Sequence, residues 1–465
     1  MKTAVASIIF AIGIAGLFFL DRGKKSRVSR ALWIPTAWLF ITFSRPASQW
    51  LGLRPEAGAA TVYIEGSPVD RAVYAVLEAL ALIVVISRGR RSGLILRRHW
   101  VLGLFFLYAA LSMSWSDYPF ITLKHWIKGI GDVVMVLVVL TEPSVVDAIR
   151  RLLTRLGFVL IPLSVLFIKY YPSLGRRITL SWTSEATGVT TQKNGLGQIC
   201  TILGLGLLWR FRAVYNNRGH PKRLRRLLAL SAVLSMVVWL LSMCNSMTSI
   251  CALSIGGGVM LLSGRTAFSR RPARLHVVIA ITLGVVVYAL FFQSSGMLLQ
   301  GLGRSPTLTG RTEIWKTVLS IPNNRLVGAG YETFWMGPRL AELWERAGFD
   351  VNEAHNGYIE LLLNLGWIGV ALLGILIATG YRNAIAAYRH NADVGPLCLA
   401  FLLAALIASL TEAAFRMLAP PWTALLLAIT VTPAQPTATR SPDPLGTSLP
   451  SRAQEASDAS AKHRK

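Results

Sequence analysis

The chain has 465 residues, of which 53% are hydrophobic and 15% charged, with a mean hydropathy of +0.51. That balance excludes a soluble globular domain and predicts an all-α, polytopic membrane protein. The formal net charge of +26 does not point to nucleic acid, because Lys and Arg cluster in short segments between apolar runs, as membrane topology requires.

Crossing the hydrocarbon takes ~20 mostly apolar residues, with ~17 as a lower limit. On that criterion the sequence predicts thirteen spans, some short: 3–20, 31–44, 72–87, 100–116, 127–141, 154–170, 195–211, 227–243, 249–263, 275–293, 357–381, 396–413 and 417–432. Pro420 and Pro421 interrupt the start of the last, so twelve is the alternative count. The first run carries only Lys2 as a basic leader and is followed by a basic stretch rather than a small-residue cleavage site. It reads as a retained first helix, not a signal peptide. The expected organisation is helices 1–10 over residues 1–293, a large outer loop over 294–356, and helices 11–13 over 357–432. A disordered cytoplasmic tail over 433–465, rich in Pro, Ser, Thr and Ala, completes it. Cys200, Cys244, Cys251 and Cys398 lie in or beside apolar spans without metal-ligand spacing, and read as small apolar residues. No internal repeat of the kind that builds inverted-repeat transporters is visible.

Orientation follows from alternate loops. The segments 21–30, 88–99, 142–155, 210–226, 264–274, 381–395 and the tail from 433 hold 31 of the 48 Lys and Arg residues. These segments are expected in the cytoplasm. The loop from Thr307 to Tyr358 is then expected outside, in a periplasm or its equivalent. Loops longer than ~15 residues are usually functional or disordered. This one carries Trp315, Tyr331, Phe334, Trp335, Trp344 and Phe349, which predicts a folded element.

Chemistry-bearing residues gather on that face. Asp117, in Trp115-Ser116-Asp117, is the outer carboxylate nearest a span end. Arg176 and Arg177 follow Tyr170-Tyr171-Pro172, and Lys193-Asn194 opens the seventh span. Outer basic residues are not required by topology, so they call for a partner, either a diphosphate or anionic lipid. In the long loop, Thr309 is placed to cap a helix starting near Gly310, with Ile314, Trp315, Val318 and Leu319 as its buried stripe. Arg311 in its first turn suits bidentate phosphate recognition, or else pairs with Glu313 or another loop carboxylate. A second short helix, Pro338 to Phe349, has Leu340, Leu343, Trp344 and Ala347 at helical spacing and reads as an interfacial helix. Gly328-Ala329-Gly330 reads as a tight turn. His355, beside Asn356 where the chain re-enters the membrane, suits a general base or a hydrogen-bond donor with near-neutral pKa, or a helix cap. Glu78, Asp132 and Glu412 are the acids in or near span interiors, read as a costly functional feature or as helix pairing.

The ordered set Lys193-Asn194-x-Leu196-Gly197, Gly310-Arg311-x-x-x-Trp315, Gly328-x-Gly330-Tyr331, His355-Asn356-x-Tyr358 and Gly366-x-x-Gly369 resembles the O-antigen ligase and Wzy polymerase superfamily. The amino-terminal half looks like its ExoQ-like exopolysaccharide polymerase branch. The resemblance covers about residues 30 to 430. It implies a GT-C-like glycosyltransferase, helical in the membrane, working without metal or other cofactor. The implied reaction is inverting transfer from an undecaprenyl-diphosphate-linked glycan to a sugar hydroxyl on the outer side of the bacterial inner membrane. The implied partners are that donor, a glycan acceptor, the lipid bilayer and other polysaccharide-assembly membrane proteins. The family's outer Arg and His match Arg311 and His355, the catalytic candidates. Gln192-Lys193-Asn194 falls on its His/Gln-Lys-Asn motif. The substrate-binding candidates are Lys193, Asn194, Arg176, Arg177, Asn356, Tyr331 and Asp117. The outer loops lack Asp-x-Asp, so a metal-diphosphate mechanism lacks that ligand pair. Competing functions are a ligase acting on lipid A core and, from another class, a polysaccharide flippase or transporter.

Overall fold

In a bilayer every backbone N–H and C=O must be paired internally, so the apolar runs of this chain close their hydrogen bonds as helices. The computed structural model describes residues 2–22, 28–53, 67–178, 182–219, 221–263, 272–291, 311–349, 351–390 and 393–431. The expected tail, the start of the outer loop, Thr309 and Gly310 lie outside the described residues. The amino-terminal half comprises α1 (Lys2–Asp21), α2 (Trp33–Thr42), α3 (Pro68–Ser87), α4 (Gly89–Arg98), α5 (Trp100–Leu111), α6 (Pro119–Leu140) and α7 (Val145–Tyr170). A small antiparallel hairpin, β1 (Arg176–Ile178) with β2 (Ser184–Ala186), pairs Arg177 opposite Glu185. Then follow α8 (Lys193–Asn216), α9 (Arg223–Cys244), α10 (Met247–Ser263) and α11 (Pro272–Phe291). The long loop holds α12 (Arg311–Ser320) and α13 (Gly337–Ala347), and α14 (Gly357–His390), α15 (Gly395–Thr411) and α16 (Pro420–Thr430) complete the described fold.

The protein is thus an all-α, polytopic membrane protein. Among the described residues, four helices are long and apolar enough to cross a bilayer: α1, α7, α9 and α14. A fifth crossing arises if α4 and α5, bent by 84°, are taken together. Other expected spans carry charge or are shorter helices. The expected last span is α16, whose 11 residues reach about 16 Å, half the hydrocarbon thickness. Its starting prolines occupy the first helical turn, where a missing N–H costs nothing, and all of its residues are buried.

The bundle is centred on α15, which packs against α10, α14, α16 and α8. Small residues permit the close approach: a Cβ on Gly256 of α10 would lie 3.2 Å from the Ala400 carbonyl of α15. Such contacts drive helix association where lipid supplies no hydrophobic contrast. Asp132, fully buried in α6, accepts from Trp38 Nε1 at 2.9 Å and from the Leu418 backbone N–H at 2.8 Å. It therefore ties α2, α6 and the α15–α16 turn together. Of the cysteines, Cys200, Cys244 and Cys398 are buried as expected, whereas Cys251 is exposed on α10.

The long loop is a folded module with its own core of Val318, Ile321, Phe334, Trp335, Leu343 and Leu363. The apolar stripe of α13 faces that core: Leu343 is buried, and Leu340 and Ala347 pack beside it. This corrects the expectation of a membrane-surface helix, because the apolar face is already covered by protein. The module is clasped onto the bundle by the Trp115-Ser116-Asp117 segment. Trp115 Nε1 donates to Val327 O at 3.3 Å, Ser116 Oγ meets Thr333 Oγ1 at 3.2 Å, and Asp117 pairs with Arg339.

The Gly328–Gly330 turn is more than a bend. Ala329 and Gly330 donate backbone N–H to the carbonyls of Leu363 and Asn364, at 3.0 and 2.9 Å. A Cβ on Gly328 would stand 2.4 Å from the Asn364 backbone, so only glycine fits. The matching break in α14 is Gly366, at φ 64° and ψ −168°, a region open essentially to glycine alone. Residues 357–365 therefore belong with the loop module, and the crossing proper starts after Gly366, later than the sequence predicts. A Cβ there would lie 2.2 Å from Leu326 O. Gly366→Ala is expected to destabilise the protein by roughly 1–3 kcal/mol from backbone strain, with further loss from the clash. An unfolding midpoint in detergent equal to that of the unsubstituted protein would contradict this.

Candidate functional site

The loop module brings Arg311, Glu353 and His355 against the ends of α8 and α15, and local hydrogen bonding explains how. Trp315 lies one turn after Arg311 on α12, so both side chains project from one helix face. Trp315 Nε1 donates to Ala354 O at 2.7 Å. The Ala354 N–H is held from the other side by the buried Glu360 carboxylate, at 2.5 Å, and Glu360 also accepts from Trp335 Nε1 at 2.8 Å. Ala354 is thereby pinned, and its neighbours Glu353 and His355 point into a fixed place. His355 adopts φ 48°, a left-handed conformation uncommon outside glycine. Glu332 and Leu418, both at the same cluster, also have positive φ, at 57° and 62°. Strain of this kind persists only where the surroundings over-determine the backbone.

Glu412 is the hub. It follows the last turn of α15 in an extended conformation, and its carboxylate is 4% exposed. Arg311 donates to its Oε1 at 2.7 Å and Asn194 Nδ2 to its Oε2 at 3.0 Å. His355 Nδ1 stands 3.7 Å from Glu412 Oε2 and 2.9 Å from Glu353 Oε1. The histidine contact is a close ion pair, since no aligned hydrogen bond forms at that nitrogen. Arg416 closes the ring, with Nε 3.1 Å from Glu332 Oε2 and NH1 3.6 Å from Glu353 Oε2. Three carboxylates thus face Arg311, Arg416 and His355. A cleft of about 250 Å³ opens beside them, lined by Glu353, Glu412, Arg416, Asn194 and Gln192 among others.

Burial opposes the charge on His355, but the Glu353 and Glu412 carboxylates outweigh it and raise its pKa to about 9. Burial likewise opposes charge on Glu353, and is outweighed by His355, Arg416 and Arg311, which hold its carboxyl below the usual range. The histidine is therefore an imidazolium at neutral pH, not the near-neutral base expected from sequence. Glu353, His355 and Glu412 bring one ligand atom each within 4.8 Å. In the structure the same carboxylates are engaged by Arg311 and Arg416.

The other candidates divide. Asn194 joins the cluster. Lys193 stands next to it but pairs with Glu185 of the hairpin. Arg176 and Arg177 are exposed on β1, and Arg176 Nε donates to Ile168 O at 3.2 Å. Three assignments change. Asn356 is buried and caps α14, accepting from Tyr358 and Ile359 N–H at 3.0 and 3.1 Å while its amide donates to Leu410 O. Tyr331 is buried, with its N–H on Ser112 Oγ at 2.9 Å, and anchors the module. Asp117 serves Arg339 in the clasp. Glu332, Glu360 and Arg416 were not singled out by sequence. Their only signal was an acid or base close to a span end, which many structural residues share.

The raised pKa of His355 makes a signed prediction. Its ion pairing contributes stability that is full below about pH 6.5, the unfolded value, and lost as pH rises through about 9. The unfolding-midpoint difference between wild type and His355→Gln should be largest at pH 6 and shrink toward zero by pH 10. A difference constant across that range would sink the assignment of an imidazolium.

Residues 188–374 match the O-Antigen ligase family, a range that contains Asn194, Arg311, Glu332, Glu353, His355 and Glu360. Exopolysaccharide production protein ExoQ of Rhizobium meliloti (strain 1021) is 28% identical over 295 residues. That alignment covers 61% of this chain and 64% of ExoQ, so it spans less than two thirds of the relative's length. These two matches make the chain similar to the O-antigen ligase family over residues 188–374 and to ExoQ over 295 residues.

Proposed function

We propose that the protein is a glycosyltransferase that moves a glycan from an undecaprenyl-diphosphate carrier to a sugar hydroxyl, with inversion, on the outer face of the bacterial inner membrane. Its product is a polymer of exopolysaccharide or O-antigen repeat units. One observation carries this reading: Arg311, Arg416 and His355 gather on the carboxylates of Glu412 and Glu353, which line a cleft together with Arg416. Every segment that contributes to it, 190–194, 311, 332, 353–355 and 412–416, falls on the face that the basic-residue pattern puts outside.

The reaction assigns a task to each group. The acceptor oxygen bonds to the anomeric carbon as the bond from that carbon to the phosphate oxygen breaks, and the electron pair leaves with the diphosphate. Guanidinium groups placed where that charge develops act without reorganisation at the moment of reaction, which is the role of Arg311 and Arg416. His355, as an imidazolium, donates to the departing phosphate. The acceptor proton goes to Glu353, the ionised carboxylate that lines the cleft. Glu412 orients Arg311, and Glu360 positions the Glu353–His355 segment. Lys193, Arg176 and Arg177, on the same expected outer face, attract the anionic carrier. The cations are supplied by side chains, so no metal is required.

The glycans of a deletion strain test the class. Single repeat units accumulating on the carrier support a polymerase; full-length polymer left on the carrier indicates a ligase, and units trapped inside indicate a flippase. Arg311→Lys keeps a positive charge but loses the planar fork, so transfer should fall steeply at normal membrane levels. Near-normal transfer would reduce Arg311 to a point charge. His355→Ala and Glu353→Gln should each lower turnover by roughly 10²–10⁴, with donor binding retained. Transfer by purified protein should also survive EDTA. A strict need for added magnesium or manganese would hand the cation role to a metal at Glu353 and Glu412.

A further inference from the structure

The end of the bundle away from the carboxylate–guanidinium cluster carries a different site. Residues 379–386 of α14 lie about 20–30 Å beyond Gly366 at 1.5 Å per residue. They line, with the α4–α5 elbow and Thr430, a cavity of about 300 Å³. Its rim carries Arg98 and Arg382, both exposed, and neither has a carboxylate partner among the described residues. Its wall carries Asn383 and the buried His99. Asn383 Nδ2 lies 3.4 Å from His99 Nδ1, and His99 Nε2 has no hydrogen-bond partner. The inner lining is apolar: Val101, Leu102, Leu376 and Ile429.

The elbow itself is built for an interface. Helix α4 meets α5 at 84°, so the two cannot both run along the bilayer normal. Leu94, Leu96 and Trp100 are 64%, 44% and 64% exposed, while Arg90, Arg91, Arg97 and Arg98 share the same segment. Apolar side chains with arginines on one short helix are the composition of an interfacial helix, and an exposed tryptophan belongs at headgroup level. This segment reads as a plain basic loop in the sequence.

We propose that the cavity binds the phosphate headgroup of an anionic glycerophospholipid. Arg98 and Arg382 engage the phosphate, His99 lines the wall with an Nε2 that no protein group among the described residues satisfies while Asn383 holds its other nitrogen, and the acyl chains run along the apolar lining and the exposed side of α4. Two guanidinium groups without partners at a membrane interface need an anion, and a basic pocket between helices is how such headgroups are held. The site is independent of the transfer reaction proposed above, because it shares no residue with it.

The test is native mass spectrometry of the full-length protein released from nanodiscs of phosphatidylglycerol and phosphatidylcholine. One phosphatidylglycerol is expected to stay bound to the wild type. Arg98→Gln with Arg382→Gln should weaken its retention roughly thirtyfold, at a factor of about five for each arginine near the surface. Arg90→Gln with Arg389→Gln removes the same charge from arginines outside the cavity lining and should leave retention unchanged. Monodispersity and unfolding midpoint report whether each variant is folded. Equal retention by the Arg98/Arg382 variant and wild type overturns the proposal. So does equal loss in both double variants, which would make the attraction a property of the whole basic face. Displacement of the lipid by excess inorganic phosphate would assign the cavity to a free anion and overturn the lipid assignment.

Discussion

A carboxylate buried at the end of a helix must find partners, because an unpaired charge there costs several kcal/mol. Glu412 finds Arg311 from the loop module and Asn194 from the start of α8. That single requirement brings together three segments far apart in sequence. It also decides where the loop module stands, since Arg311 opens α12 and α12 carries the module's core. The buried pair is weak support for stability taken alone. Its effect is positional, fixing a guanidinium beside the cleft and leaving Glu353, His355 and Arg416 arranged around it.

Ala354 is the second fixed point. Its N–H and C=O are taken by Glu360 and Trp315, so the chain on either side cannot relax, and His355 is left with a positive φ. The spacing Arg311-x-x-x-Trp315 is thereby explained without appeal to family. One helical turn lets the tryptophan hold the His355 strand while the arginine reaches Glu412. The glycines at 328 and 366 serve the same end, letting the turn dock on α14 at backbone distance.

Much of this was legible in the residues, and what was missed has a common cause. Apolar runs and Lys/Arg clusters identify a helical membrane protein because each is a local property of the chain. That the long loop folds was readable from its aromatics, Arg311 and His355 from their place in it, and Asn194 from its place at the start of α8. Arg416, Glu332 and Glu360 were not, because their meaning lies in partners up to about 85 residues away. Asn356 and Tyr331 hold the backbone in the structure, a task that sequence cannot tell from touching a ligand when a polar or aromatic residue stands beside a motif. The near-neutral pKa expected of His355 assumed a lone imidazole, and the carboxylates of Glu353, two residues away, and Glu412, on another segment, change it. The perpendicular α4 escaped because seven of its ten residues are Gly, Arg or Ser, so no apolar run flagged it.

The two ends of the bundle solve the problem of cation placement in opposite ways. Beside the cleft, Arg311, Arg416 and His355 are balanced by Glu412, Glu332 and Glu353, so a stray anion gains little by binding there. On the proposed reaction only a ligand with several phosphate oxygens can compete with those carboxylates for both guanidinium groups. When it does, Glu353 loses its cationic neighbours to the diphosphate. A carboxylate released from ion pairing has its affinity for a proton restored. Donor binding would thereby prepare the base that the acceptor needs, and in the absence of donor the same base stays masked. At the far end no carboxylate among the described residues balances Arg98 or Arg382, which suits a ligand that is always present in the membrane and need not be discriminated.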